Sequence, residues 1–178
     1  MKRTVWTYGL IAGVILALVM VITMSYEDRI SMGAGYAIGY GTMILALLAV
    51  YFGIRSYRDN VLGGAIGFRR AFNVGILITL VASACYVASW QVVYRTIAPD
   101  FMEKYSARVI EKERASGASE AQLEARRQEM AELAEAYKNP LVNIGMTFLE
   151  IFPVGVVVVL VSAWIASGKR GELRTEVA

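Results

Sequence analysis

The sequence contains no histidine, and Cys85 is the only cysteine among its 178 residues. Histidine is the commonest metal ligand and the commonest general base, so its absence removes the usual residues for zinc, haem and Ser-His chemistry. A lone cysteine cannot form a disulfide within the chain, which excludes a secreted disulfide-rich scaffold. We therefore expect no metal, no cofactor and no enzymatic activity.

Charged residues are also scarce. Charged residues make up 19% of the chain, against about 25% in soluble domains. Hydrophobic residues make up 57%, against about 45–50% in soluble domains. The apolar excess lies in four runs, at residues 5–24, 32–54, 71–94 and 141–167. At about 1.5 Å per residue, each run is long enough to cross a hydrocarbon core of about 30 Å. The sequence predicts an integral membrane protein whose main partner is the lipid bilayer.

Short connections separate the first three runs. Residues 25–31 form a polar turn, so the first two helices should pair as an antiparallel hairpin. After the second run, residues 55–60 and three nearby glycines predict a loop that ends at Arg69 and Arg70. No basic stripe with interleaved aromatics is present despite the net charge of +3, so we expect no nucleic-acid partner.

Between the third and fourth runs the composition becomes charged and favours helices. One soluble helix should begin near Pro99 and Asp100 and end near Ala115. Ser119 should cap a second helix, because Gln122 follows at capping-box spacing. The segment is either a solvated amphipathic hairpin without a site of its own or a surface that docks a partner in the membrane or periplasm.

The predicted fold is all-α: an integral membrane four-helix bundle with an extracytoplasmic antiparallel helical hairpin between helices 3 and 4. Residues 1–94 would hold helices 1 to 3, residues 95–140 the hairpin, residues 141–167 helix 4 and residues 168–178 a cytoplasmic tail. With both termini cytoplasmic, each side carries nine of the 18 basic residues. Lys2 and Arg3 before the first helix break this tie and favour cytoplasmic termini.

Glu150 is the strongest anomaly, because it lies about nine residues inside the fourth apolar run. A carboxylate at that depth is expensive and is by default a functional hypothesis. It is expected to be protonated, or bonded to Tyr86, Ser83 or Thr79 of the third run. Pro153 would free a backbone carbonyl nearby. The site is therefore either a structural hydrogen-bond clamp or a cation or proton site.

Two weaker features concern helix contacts. Asn143 lies near a helix end, where bridging between helices is favoured over substrate binding. Small residues recur every fourth position on the first run, at Gly9, Gly13 and Ala17, and on the second, at Gly33, Ala37 and Gly41. These stripes permit close helix approach, either within the chain or between copies in a homo-oligomer.

Several segments of the chain resemble one family of bacterial membrane proteins. These are residues 8–13, 54–59, 62–68, 99–101, 138–141, 147–151 and 153–155, and the stretch from Asn139-Pro140 through Glu150 to Pro153-Val154-Gly155 is the most specific. The chain is similar over essentially its whole length to domain-of-unknown-function family 4199. The resemblance implies a bacterial four-helix inner-membrane protein with an inserted helical segment, and it implies no particular activity.

The sequence favours a non-enzymatic inner-membrane scaffold or accessory subunit that docks partners through the hairpin. The alternative is a small ion- or proton-coupled transporter or channel that uses Glu150. The residues predicted to form a binding site are Glu150, Pro153, Tyr86 and Asn143.

Overall fold

The computed structural model describes residues 1–26 and 29–167. Within these ranges the chain is all-α, with six helices and no strand. The helices are α1 (Lys2–Ser25), α2 (Met32–Val61), α3 (Phe68–Thr96), α4 (Phe101–Ala115), α5 (Glu120–Tyr137) and α6 (Pro140–Ser167). The predicted tail at 168–178 and part of the predicted turn at 25–31 lie outside the described residues.

Four of the helices, α1, α2, α3 and α6, are long and apolar enough to cross a membrane. Their outward faces carry large apolar side chains: Leu45 and Leu149 are each 68% exposed and Trp164 is 73% exposed. Such a continuous apolar exterior is unusual on a soluble protein and suits contact with lipid chains. The four runs predicted from composition therefore correspond to four helices of membrane-spanning length.

The prediction of a loop at residues 55–60 is wrong, because α2 continues to Val61. Arg55 and Asp59 form an ion pair one helical turn apart, at 3.6 Å between Nε and Oδ2. Arg58 donates from Nη1 to the backbone oxygen of Ala166 at 3.2 Å, which ties this end of α2 to α6. The apolar run marks only the part of the helix suited to lipid, whereas the backbone continues through polar residues that find partners.

The loop after α2 is shorter than expected, and α3 begins at Phe68. Gly63 and Gly64 have φ angles of 69° and 97°, a region that glycine adopts without steric cost. The Gly64 amide donates to the Arg58 carbonyl at 2.9 Å, which satisfies one of the last carbonyl groups of α2. This turn reverses the chain within a few residues.

Helix α3 makes the two most extensive helix–helix interfaces of the described chain, with α6 and with α1. Helix α2 packs against α1 and α6 and also contacts α3. The small residues of α1 account for one of these interfaces. A Cβ atom on Gly9 would lie 2.6 Å from the Val81 Cβ, and one on Gly13 would lie 2.5 Å from the Cys85 Cβ. The α1 stripe is therefore occupied by α3 of the same chain.

Three glycines in the first half of α2 behave differently. A Cβ atom on Gly33, Gly39 or Gly41 would meet no atom within 4 Å. The α2 stripe therefore has no close partner among the described residues, and its predicted role in a homo-oligomer stays a prediction.

The end of the four long helices that is remote from α4 and α5, here called the far half, is densely packed. Leu47, Val50 and Ile54 of α2, together with Val74 and Ile78 of α3, have no exposed surface. Val159 of α6 is also fully buried and contacts the Gly75 position of α3. Interlocking of small and branched residues is the usual source of tight packing between apolar helices in lipid.

Helices α4 and α5 follow the polar composition between the membrane-length helices. The predicted capping box is confirmed: Ser119 Oγ accepts from the Gln122 amide at 3.4 Å, and the Ser119 amide donates to Gln122 Oε1 at 2.8 Å. Arg126 Nε lies 3.0 Å from Glu113 Oε1, which joins α5 to α4. Helix α5 also contacts α6. The α4–α5 segment thus lies at one end of the long helices, here called the hairpin half.

Candidate functional site

The interface between α3 and α6 positions the most polar residues of the membrane-length helices. The two helices run antiparallel: as residue numbers rise from Gly75 to Gln91 along α3, their partners fall from Val159 to Asn143 along α6. Gly155 meets Thr79 so closely that a Cβ atom on it would overlap the Thr79 methyl group. This register brings Tyr86 of α3 beside Glu150 of α6.

Glu150 lies in the hairpin half of α6. The helix has 28 residues and its centre falls near Pro153, so Glu150 is about 5 Å from the helix centre at 1.5 Å per residue. Tyr86 Oη donates to Glu150 Oε2 at 3.4 Å. This distance is long for a hydroxyl–carboxylate hydrogen bond. The bond therefore orients the carboxyl group but leaves most of its acceptor capacity for a ligand or a proton.

A cavity of about 240 Å³ opens beside this carboxyl group. It lies in the hairpin half, between the long helices and the α4–α5 segment. Glu150 is the only carboxylate among the described residues of its wall, and Arg108 of α4 is the only basic one. The described wall residues are Leu16, Val19, Met20, Thr23, Met24, Ile30, Ser31, Gly35, Tyr36, Gly39, Tyr40, Thr42, Met43, Tyr86, Trp90, Phe101, Tyr105, Arg108, Tyr137 and Glu150.

Aromatic side chains fasten the α4–α5 segment over the cavity. The rings of Trp90 and Phe101 meet edge to face at 4.9 Å between centroids. Trp90 Nε1 donates to Tyr137 Oη at 2.8 Å. On the opposite side of the cavity, Tyr36 Oη lies 3.5 Å from Tyr105 Oη, which joins α2 to α4. The segment is therefore attached to α2 and α3 by specific side-chain contacts as well as by the chain itself.

Tyr137 has a second property that follows from this position. Burial raises the pKa of its phenol above the ordinary value of 10.0. The phenol therefore stays neutral over the physiological range, where its oxygen accepts the Trp90 hydrogen bond.

The four residues predicted to form a site are not all brought together. Glu150 and Tyr86 are in contact and both line the cavity. Asn143 is 2% exposed and accepts from Gln91 Nε2 at 2.6 Å, so its side chain bridges α6 to α3 and does not line the cavity. Pro153 lies inside a continuous α6 one turn away and does not line the cavity either.

Two of the three hydrogen-bond partners considered for Glu150 have no such role. Thr79 Oγ1 and Ser83 Oγ are fully buried and have no hydrogen-bond partner within the described residues. The α3–α6 register explains this outcome, because Thr79 faces Gly155 at the start of the far half. Tyr86, whose phenol is long enough to reach the cavity wall, is the partner observed.

Sequence reasoning missed most of the aromatic wall. Tyr36 and Tyr40 of α2 both line the cavity, and their spacing of four residues on an apolar helix was an available indication of a shared face. Phe101 and Tyr105 of α4 have the same spacing of four residues. Their stacking at 5.9 Å and their position against Trp90 depend on the fold.

A second concave feature lies on the α4–α5 segment. It is a groove of about 390 Å³ whose rim carries Asp100, Glu103, Arg127 and Lys138, and Met130 lies at its wall. Glu135 raises the pKa of the Lys138 ammonium group through a hydrogen bond at 2.6 Å. Across residues 1–26 and 29–167, no group of three or more His, Cys, Asp or Glu side chains could hold a metal ion.

The model of a family described as "Protein of unknown function (DUF4199)" matches residues 7–167. The match covers nine tenths of the chain, so the chain belongs to this family, as its resemblance indicated. No curated protein and no solved structure matches the chain.

Proposed function

We propose that this member of the DUF4199 family is an ion- or proton-coupled transporter in the bacterial inner membrane, with Glu150 as the coupling group. One observation carries the proposal: a carboxylate within a membrane-length helix forms part of the wall of an open cavity. Tyr86 orients that carboxylate from the neighbouring helix. Intramembrane carboxylates that face a cavity commonly bind ions or transfer protons.

The packing supports a coupled carrier better than an open channel. The cavity occupies the hairpin half, whereas the far half contains side chains such as Leu47, Ile54 and Ile78 that have no exposed surface. A ligand could therefore reach Glu150 from one end only in this conformation. A proton and a cation would compete for the same carboxylate oxygen, and this competition is the physical basis of exchange.

Proton flux measured in liposomes tests the proposal. With a cation gradient imposed across the membrane, wild-type protein should carry a proton flux that Glu150→Gln reduces at least tenfold, because the amide preserves the shape of the side chain and removes its charge and its titration. Glu132→Gln on the exposed surface of α5 is the matched control and should retain full flux. Absence of flux from the wild type, or equal flux from Glu150→Gln, would refute the proposal.

The proposed arrangement in the membrane is a four-helix bundle of α1, α2, α3 and α6, with both termini cytoplasmic and the α4–α5 hairpin extracytoplasmic. The apolar outer faces of the four helices and the basic Lys2 and Arg3 support it. Residues 1–94 would contain the first three spans, 95–140 the hairpin, 141–167 the last span and 168–178 the tail.

Thiol labelling of intact spheroplasts tests this topology. In a Cys85→Ser background, cysteines at Ala115 and Ser119 should react with an impermeant reagent. Cysteines at Ser56 and Ser167 should be protected until the membrane is opened. The reverse pattern would invert the orientation, and labelling of both pairs from one side would show that one helix does not cross.

A scaffold or accessory subunit is the second candidate function, and the groove on the hairpin favours it. The groove combines charged groups of both signs with apolar side chains, a composition typical of protein-docking surfaces. Deleting residues 95–139 should abolish co-purification of a membrane or periplasmic partner while membrane insertion persists. Because that deletion also removes Phe101 and Tyr137 from the cavity wall, Arg127→Glu at the groove rim is the cleaner variant. Retention of every partner by both variants would refute docking.

Neither proposed function requires catalysis. Beyond Glu150, the sequence offers no histidine and no paired acids at a shared depth in the apolar runs. We also propose that Gly33 and Gly41 of α2, which have no atom of the described chain within 4 Å of an added Cβ, permit a second copy to pack there. Cross-linking between copies that carry cysteine at Gly41 would support an oligomer, and its absence would argue for a monomer.

A further inference from the structure

The chemistry of the cavity wall restricts what Glu150 can bind. Seven of the twenty described wall residues are aromatic and three are methionine. A hard divalent cation is usually held by carboxylates among its six or more oxygen ligands, whereas Glu150 supplies the only carboxylate among those described. Aromatic faces and thioethers instead suit a weakly hydrated organic cation with apolar groups attached.

The aromatic residues come from several helices. Tyr36 and Tyr40 belong to α2, Tyr86 and Trp90 to α3, and Tyr105 to α4. The negative faces of aromatic rings attract an organic ammonium group, and this attraction is strongest where water is excluded. Aromatic walls around one carboxylate therefore provide both a charge partner and a desolvated surface for a cation.

The carboxylate gives the cavity a direction. Glu150 lies on α6 beside Tyr86. Its negative charge attracts a positively charged group. The cationic end of a ligand would therefore face Glu150, and its apolar part would extend along the methionine and aromatic wall.

We propose that the cavity binds a small amphiphilic organic cation, an amine or quaternary ammonium ion carrying an aromatic or aliphatic group. Its volume of about 240 Å³ lies just below the range of roughly 300–1,000 Å³ usual for drug-sized ligands, so a single-ring ammonium ion is the appropriate size. This assignment rests on the proposed role of Glu150 as the coupling group and names the substrate class for that role.

Trp90 supplies a probe inside the site. The chain has three tryptophans, and Trp6 and Trp164 are 58% and 73% exposed on the outer faces of their helices. Substituting Trp6→Phe and Trp164→Phe leaves Trp90 as the sole indole, on the cavity wall. Benzyltrimethylammonium is the test ligand, and neopentylbenzene, in which carbon replaces the charged nitrogen, is its neutral isostere.

In this background, purified protein in nanodiscs should show a saturable change of Trp90 fluorescence with benzyltrimethylammonium and none with neopentylbenzene. Glu150→Gln should raise the apparent Kd at least tenfold, because it removes the charge partner. Tyr40→Leu should raise it several-fold, whereas Tyr40→Phe, which keeps the aromatic face, should stay within about twofold of the parent. Glu132→Gln on the exposed surface of α5 should leave binding unchanged.

Equal saturable binding of the neutral isostere, or unchanged binding by Glu150→Gln, would overturn the assignment. Equal loss of binding in Tyr40→Phe and Tyr40→Leu would also overturn it, since the aromatic face would then be irrelevant. The liposome experiment separates this inference from the proposed function. Glu150-dependent proton flux without binding of the cation would refute the substrate class alone, whereas Glu150-dependent binding without any flux would refute transport and support the site.

Discussion

The two halves of the membrane-length helices differ in how their helices contact one another. In the far half, Gly75 receives Val159 of the opposing helix, and neighbouring side chains such as Ile78 have no exposed surface. In the hairpin half, the same helices separate around a cavity and connect through polar bonds such as Gln91–Asn143. The comparison indicates that the far half is a densely packed helix bundle. The hairpin half instead holds a carboxylate that is accessible to a ligand.

The largest loss of stability is expected from a substitution in the far half. Gly155→Val should destabilise the protein by about 3 kcal/mol, because the new side chain would overlap Thr79 in a closely packed interface. Cys85 packs against Gly13 in the folded protein. The temperature at which its thiol becomes reactive toward a thiol-specific dye measures the change in stability.

Gly41→Ala is the matched control for this substitution. A Cβ atom there meets nothing within 4 Å, so stability should change by less than about 0.5 kcal/mol or increase slightly through helix propensity. Equal losses from both substitutions would contradict the view that the far half is the tightly packed one.

An intermediate effect is expected in the hairpin half from Asn143→Leu. The substitution removes the acceptor for Gln91 Nε2, and Gln91 is then left without its partner between α3 and α6. The expected loss is about 1–2 kcal/mol by thermal unfolding in detergent. Asn73→Leu, at the far end of α3 and on its exposed surface, should cost less than about 0.5 kcal/mol. If the two variants are equally stable, polar bridges do not distinguish the halves.

The smallest effect concerns the attachment of the hairpin. Tyr137→Phe removes the acceptor for Trp90 Nε1, and the expected cost near pH 8 is about 1 kcal/mol. Burial raises the pKa of Tyr137 in the folded protein. The stabilisation that Tyr137 contributes is therefore fully present below its pKa of about 10 in the unfolded chain, and it is lost as the pH rises through its pKa in the folded protein.

The difference in stability between wild type and Tyr137→Phe should therefore narrow above about pH 10. Thermal unfolding followed by tryptophan fluorescence at pH 8 and about pH 11 measures this difference. The other tyrosines ionise in both proteins, so their contribution cancels when Tyr137→Phe is subtracted from the wild type. A constant difference across this range would show that Tyr137 ionises without consequence for the fold.

Much of the helical architecture follows from local sequence. Run length alone predicts four membrane-length helices, because each span must satisfy its backbone hydrogen bonds internally over a fixed thickness. The start of α5 follows from Ser119 and Gln122, whose capping bonds involve residues three positions apart. The end of α2 did not follow, because Arg58 finds its acceptor on Ala166, which is remote in sequence.

The candidate site was predictable only in part. The position of Glu150 in an apolar run identified the residue, since the cost of a charge in lipid depends on local composition. Glu150 accepts a hydrogen bond from Tyr86 and none from Ser83 or Thr79, and this outcome depends on the register between α3 and α6. The cavity wall depends further on how α2 and α4 approach Trp90, which no sequence spacing specifies.

The sequence by itself thus determined the six helical segments, the family and the acid within an apolar run, because helices form from interactions within a few residues and apolar length is set by lipid. The tertiary structure decided that the α1 glycines pack on α3 and that the hairpin aromatics close a cavity over Glu150. It did so because interfaces between helices depend on which faces meet, and residues remote along the chain must be brought together before those contacts exist.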